Sequence, residues 1–491
     1  MPPDAAEHGE RDRARRQADA RGVPADIMLP RVILVVATVL LSLIGLVMGF
    51  SASSIEAISL DESIFSYVGK QAVLMGLGGA MAFCIARFVP YDAWKDGPAF
   101  WAVWGLAVLL VAAVPFVGTQ ALGATRWIYI GSFSLQPSEF AKIVFVIAAA
   151  RILFRYRSEF VTLRQAAIAA AVLVVLPLAF LYKTQSDMGS AIIVLMGAFA
   201  VLWIGEVPLR AIVPLFLVIV AVGAVGMVGY RADRVSVWLD PWSDMYGTGY
   251  QVIRSFYAFA EGGIFGVGLG NSREKFQYLS EAETDFIFSI VGEELGLIGA
   301  IAVIALFLAV LYAGLRIAHR APDSFGATMA GGLTVMLVGQ AFLNMACVTG
   351  LFPVTGKPLP FISSGGSSVL ASLIIVGLIL SVSVGSNTLT PYERRRNDLN
   401  VIRVEGSRRA RASGQGARDE RQRRSSARDA GASRGAPARA RRAGSSGAAY
   451  ARTGRFAGAR RAREASRGDD ARAARRARAG RWVQESERRG R

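Results

Sequence analysis

The sequence predicts an all-α polytopic membrane protein of about ten transmembrane helices, with a large extracytoplasmic loop between helices 7 and 8 and disordered cytoplasmic tails. The first observation behind this is ten apolar runs of roughly the 20 residues needed to cross a bilayer, a number that soluble cores rarely show. The second is a bias of Lys and Arg toward alternate short loops. The third is the tail: residues 391–491 hold 30 Arg against 11 Asp plus Glu, which accounts for the whole +18 net charge.

Residues 1–30 are polar with no apolar core, so no cleavable signal is expected and the first run, "RVILVVATVLLSLIGLVMGF" at 31–50, must act as its own insertion signal. The further runs lie near 66–88, 98–117, 138–154, 163–181, 189–205, 209–229, 285–315, 325–348 and 366–386. The connection after the fourth carries Arg151, Arg155, Arg157 and Arg164, and that after the eighth Arg316 and Arg320. These ends are expected in the cytoplasm with both termini. The acidic first loop (Glu56, Asp61, Glu62) and the long loop 230–284 then lie outside. The domain reading is therefore a tail 1–30, a membrane domain 31–390 and a tail 391–491. Ala, Arg, Gly and Ser dominate the last tail, too few apolar groups to offset the entropy of ordering. Contact with the anionic inner leaflet is one use for its charge, and no specific nucleic acid is expected.

Cys84 and Cys347 both fall inside apolar runs, and the histidines are His8 and His319 alone. A disulfide framework, a Cys/His metal site and a histidine base are not expected on those counts. No G-x-x-x-x-G-K-[ST] motif offers a nucleotide site. "GVGLGN" at 266–271 lacks a flanking βαβ unit and reads as a flexible turn.

Several outside segments carry groups suited to chemistry. In "YLSEAETDFIFSIVGEELG" (278–296), Thr284 reads as a helix N-cap, placing Asp285 at the outer end of a face formed by Ser289, Gly292, Gly296 and Gly299. Glu293 and Glu294 follow two turns on. Ionisable residues in spans are costly and mark sites, although a carboxylate at a helix start is also favoured by the dipole alone. "GATRWIYIGSFSLQPSEFAK" holds Arg126 and Lys142, cations suited to phosphate, while Glu139 can simply pair with Lys142 at i,i+3. "KTQSDMGS" presents Gln185 and Asp187. "GKPLPFISSGGSS" forms either an anion-binding nest or a turn capped by Ser367 or Ser368.

These motifs, in order over residues 31–390, resemble the SEDS family (shape, elongation, division and sporulation). The resemblance rests on "GATRWI", "QPSEFAK", "QSDMG", "GYQVIRSFYAFAEGGIFGVGLGNS", "TDFIF" with "GEELG", and "LPFISSGGSS". "GLGNS" and "GEELG" look more like its division branch than its elongation branch. The resemblance implies a peptidoglycan glycosyltransferase of the plasma membrane and division septum. It would polymerise lipid II, release undecaprenyl pyrophosphate, and act with a class B penicillin-binding protein and other division proteins. The aspartate of T-D-F-I-F carries over onto Asp285 as the catalytic base. Arg126, Gln136, Glu139, Lys142, Gln185, Asp187, Glu293 and Ser367 are the substrate-binding candidates, with Arg126 and Lys142 toward pyrophosphate. No resident metal site is expected, although a divalent cation, Mg or Mn, could assist. The sequence departs from the family pattern at Glu283, where His is frequent, at Ser364, where Tyr is usual, and at Ser186 and Ser280, where Pro is usual. Two other functions suit a polytopic bundle with outside charges: a lipid II flippase, which needs a charged path to the inner face, and a noncatalytic division scaffold.

Overall fold

Lipid offers a peptide group no hydrogen-bond partner, so each apolar run must satisfy its own backbone as a helix. A computed structural model describes residues 25–59, 64–121, 124–130, 133–210, 212–214, 232–247, 249–276, 279 and 282–386. The two expected disordered tails, beyond residues 25–30, and most of the seventh run lie outside the described residues. Among the described residues the other nine runs are helical: α1 Ala25–Ser59, α2 Ile64–Phe88, α3 Pro98–Val117, α4 Pro137–Arg157, α5 Leu163–Gln185 and α6 Met188–Ile204 come first. Short helices α7 (Ala232–Leu239) and α8 (Tyr250–Gly262) follow, then α9 (Ile287–Glu294), α10 (Gly296–His319), α11 (Ser324–Val348) and α12 (Gly366–Gly385). Seven of these helices are long and apolar enough to span a bilayer. The chain is a multi-pass membrane protein.

α4, α11 and α12 are buried along most of their length, whereas few side chains of α2 and α3 are buried. α11 packs on α6, α10 and α4, and α12 on α2. Small residues make this possible: Gly197 of α6 faces Gly332 of α11, and a Cβ on either would stand 3.3 Å from the other's carbonyl oxygen.

Prolines within spans leave a carbonyl one turn earlier without its donor, and side chains from neighbouring helices supply one. Pro115 frees the carbonyl of Val111, which accepts from Gln185 Nε2 at 3.2 Å. Pro177 frees that of Leu173, which accepts from Trp104 Nε1 at 3.0 Å, and the preceding turn, Ala171–Val175, widens into a π-helix.

Two features differ from the expected fold. The outside loop before α4 is a three-stranded antiparallel meander, β1 (Thr119–Ala121), β2 (Ala124–Ile130) and β3 (Phe133–Leu135). β-Branched and aromatic residues in "ATRWIYI" suit a pleated surface. The eighth run, expected to be continuous over 285–315, is interrupted between α9 and α10, where Gly296 takes φ 67°. A Cβ at 296 would stand 2.3 Å from the nitrogen of Gly266. Val267 N donates to Glu293 O at 3.0 Å and Leu297 N to Gly263 O at 3.0 Å, so backbone of the 263–268 loop replaces the bonds the helix lacks. The glycine-rich stretch is therefore a turn clasped to the α9–α10 junction by backbone hydrogen bonds.

The ends expected in the cytoplasm meet one another. Arg31 donates to the hydroxyl and carbonyl of Ser383, Lys95 pairs with Asp323 at 2.7 Å, and Arg151 donates to the Trp94 carbonyl at 3.3 Å.

Gly296→Ala is expected to lower the stability of the detergent-solubilised protein by roughly 1–3 kcal/mol through strain at a left-handed position. Gly76→Ala, with nothing within 4 Å of the added carbon, should not. Thermal unfolding of the two variants checks this, and equal melting of both would contradict the clasp.

Candidate functional site

Asp285 lies in a turn ahead of α9, whose N-cap is Phe286 rather than Thr284. Without side-chain capping of α9, this segment is held from outside. The carbonyl of Glu283 accepts from Ser364 N and Ser364 Oγ, both at 3.0 Å, that of Thr284 from Ser363 Oγ at 2.6 Å, and that of Asp285 from Asn344 Nδ2 at 2.7 Å. Ser53 of α1 donates to the Glu283 carboxylate at 2.6 Å. Asp285 is half-buried and its Oδ2 lies against Gly356, where a Cβ would come within 3.2 Å. Gly356 takes φ 66°, open chiefly to glycine.

The face of small residues does not continue the groove expected from Asp285. Ser289 Oγ and Ser255 Oγ are 2.8 Å apart, and Gly292 faces the Phe259 ring, so α8 packs closely there. The interruption at Gly296 turns Gly296 and Gly299 off this face. Glu293 is buried away from solvent and accepts from Ser272 Oγ at 2.6 Å, Arg273 N at 2.5 Å and Glu274 N at 3.4 Å. Its carboxylate caps the 272–274 backbone. Glu294 pairs with Lys275 at 3.0 Å and accepts from Ser51 at 2.6 Å.

A second buried group joins α4, α6 and the loop before α12. Lys142 lies 2.8 Å from Glu139 and donates to Gln340 at 2.7 Å, while Lys357 lies 2.7 Å from Asp187 and 3.8 Å from Glu139. Two lysines face two carboxylates, so the group is neutral. Asp187 also caps α6, accepting from Ser190 N at 3.0 Å. Burial alone would raise its pKa, but Lys357 and Arg126, with bonds from Lys357 and Ser190, hold it well below the usual carboxylate range. Gln340 Nε2 donates to Pro358 O at 3.0 Å.

The remaining candidates bond mainly to backbone. Arg126 Nε donates to Gln185 O at 2.9 Å and its Nη2 to Ser186 O at 3.0 Å. Ser186 sits at φ 51°, which proline cannot adopt, so this turn excludes the family's usual residue. Ser367 Oγ accepts from Gln136 N at 3.0 Å and donates to Ser134 O at 2.9 Å, joining the β3–α4 connection to α12 instead of capping the helix. Arg126, Gln136, Glu139, Lys142, Gln185, Asp187 and Ser367 thus form one connected region. Lys357 and Asn344 link it to Asp285; Glu293 belongs to the separate clasp.

Lys357, Asn344 and Gln340 were not singled out from the sequence. The available signal was a polar pair at i,i+4, Gln340 and Asn344, inside an otherwise apolar span. A cavity of about 220 Å³ is walled by Trp238, Gln251, Val252, Cys347, Phe352 and Val354. Among the described residues no three of His, Cys, Asp and Glu converge as metal ligands.

Comparison with known proteins bears on this arrangement. The family model described as cell cycle protein, covering FtsW, RodA and SpoVE, matches residues 31–388. Stage V sporulation protein E of Bacillus subtilis is 37% identical over 72% of this chain and 97% of its own length. A probable peptidoglycan glycosyltransferase FtsW of Geobacter metallireducens is 39% identical over 72% of this chain and 94% of its own. Among solved structures, a chain of a peptidoglycan synthase complex that coordinates polymerisation and crosslinking aligns with TM-score 0.57 at 29% identity, covering 72% of this chain and 96% of that one. RodA of Thermus thermophilus aligns with TM-score 0.52 at 26% identity, covering 72% and 95%. The match across nearly the whole described region shows that the chain belongs to the FtsW, RodA and SpoVE family of cell cycle proteins, the SEDS proteins.

Proposed function

We propose that this protein is a peptidoglycan glycosyltransferase that polymerises lipid II at the outer face of the plasma membrane, with Asp285 as general base. The observation that carries the proposal is the half-buried Asp285 carboxylate on a backbone held by three neighbouring side chains, in a chain whose relatives are named as peptidoglycan glycosyltransferases. The carboxylate takes the proton of the acceptor GlcNAc 4-hydroxyl as that oxygen attacks the anomeric carbon of the donor MurNAc. The new O–C bond forms as the bond from that carbon to the pyrophosphate oxygen breaks. Undecaprenyl pyrophosphate leaves with the electron pair, and one displacement inverts the configuration.

Sidedness follows from charge. The Arg-rich ends that meet through Arg31, Lys95 and Arg151 belong inside, with both termini, and the Asp285 end belongs outside. Arg126, partly exposed beyond its bonds to Gln185 O and Ser186 O, is the cation that would meet pyrophosphate, whereas Lys142 is buried and committed to Glu139 and Gln340. The cavity lined by Trp238 and Phe352 would give a sugar ring apolar, aromatic surface. Among the described residues no three acidic side chains converge to hold Mg or Mn. A class B penicillin-binding protein fits as partner because a similar chain is part of a synthase complex. Relatives named FtsW favour the division septum.

The flippase reading needs polar groups to continue inward from the site, but along α4 residues 143–150, between Lys142 and Arg151, are all apolar. A scaffold would leave Asp285 dispensable.

Asp285→Asn should lower lipid II polymerisation by the purified protein with its partner on the order of 10²–10⁴-fold, with folding and partner binding intact. Equal polymer from both proteins would remove Asp285 as the base. The neutral buried group acts as a frame, so Lys357→Met, which strands Asp187, is expected to cost about 3–5 kcal/mol of stability. Lys357→Met with Asp187→Leu should recover part of it in thermal unfolding. A single variant as stable as wild type would contradict mutual dependence within the group.

A further inference from the structure

The three carbonyls that precede Phe286 are each bonded from another element, but the donors are not equivalent. Ser363 and Ser364 lie together in the loop before α12 and hold Thr284 and Glu283. Asn344 comes from inside α11, is buried, and bonds the residue that carries the carboxylate.

A primary amide has two N–H bonds, and both are used here. Asn344 Nδ2 donates to Asp285 O at 2.7 Å and to Lys357 O at 2.7 Å. Lys357 is the neighbour of Gly356, against which the Asp285 carboxylate lies. One side chain therefore fixes the backbone from which the carboxylate projects and the backbone of the wall it rests on. The Lys357 side chain continues the linkage to Asp187 at 2.7 Å, and so to α6. Asn344 Oδ1, in contrast, is buried with no donor among the described residues. Leaving it so costs free energy. A leucine would fill a similar volume without that cost, but it would strand two buried carbonyls on either side of the base.

We infer that Asn344 is a positioning residue for Asp285, setting the distance from its carboxylate to the acceptor hydroxyl without touching substrate. The inference rests on the reading of Asp285 as base. Its size follows from geometry, since a displacement of about 1 Å at a reacting group costs on the order of 10²-fold in rate.

The test is steady-state lipid II polymerisation by the full chain with its class B partner, for wild type, Asn344→Ala, Asn344→Ser and Asp285→Asn. Rates are normalised to folded, partner-bound protein measured by size exclusion. Asn344→Ala is expected to lower kcat on the order of 10²-fold, while KM for lipid II stays within about twofold because no substrate contact is lost. Asn344→Ser, with one hydrogen to donate, should fall between Ala and wild type. It also carries the test on its own if Asn344→Ala does not fold. A wild-type kcat in either folded variant, or a loss confined to KM, overturns the inference. Asp285→Asn separates the two readings: if it is inactive while the Asn344 variants are normal, the base stands and the positioning role fails. If Asp285→Asn keeps a wild-type kcat, the reading of the base itself fails.

Discussion

Every buried backbone group here must find a partner inside the protein, because lipid supplies none. A bundle of unbroken helices would meet that requirement but offer no turn on which to mount a reactive carboxylate. The chain departs from regular helix at Pro115, Pro177, Gly296 and around Asp285, and each departure leaves groups that another element satisfies. Gln185 and Trp104 serve the two prolines, and the glycine clasp serves Gly296. Ser363, Ser364 and Asn344 serve the Asp285 turn. Much of the polar composition that a sequence reader assigns to substrate is used in this way.

The same requirement explains how much could be read from the sequence. Nine of the ten predicted spans are helices among the described residues, since apolar length is a local property. Asp285 was visible as an ionisable group at a span end, and its motif pointed to a family that the match over residues 31–388 then showed. Less legible was what each polar group bonds. Nothing local in "QSDMG" announces that Asp187 meets Lys357, 170 positions away, or that Gln185 serves a carbonyl in α3. The interruption at Gly296 had a trace in the glycine two positions past the glutamate pair, but apolar continuity outweighed it. Expecting Gly296 and Gly299 on the Asp285 face followed from assuming an unbroken helix.

The geometry also separates two roles that charge alone confuses. Glu139, Lys142, Asp187 and Lys357 form a neutral buried frame, in which each charge is useful through its partners. Such a frame contributes little net stability, but losing one member is costly. Asp285 stands outside this frame, half-buried and aligned by main-chain bonds. A half-buried carboxylate aligned through its backbone at the end of a span is suited to accept a proton.

Chemical rescue tests this claim most directly. Asp285→Gly removes the carboxylate and leaves room for a small external base, so lipid II polymerisation by the variant with its partner should be absent in plain buffer and return in proportion to added formate. Wild-type polymerisation by Asp285→Gly without formate would contradict the account.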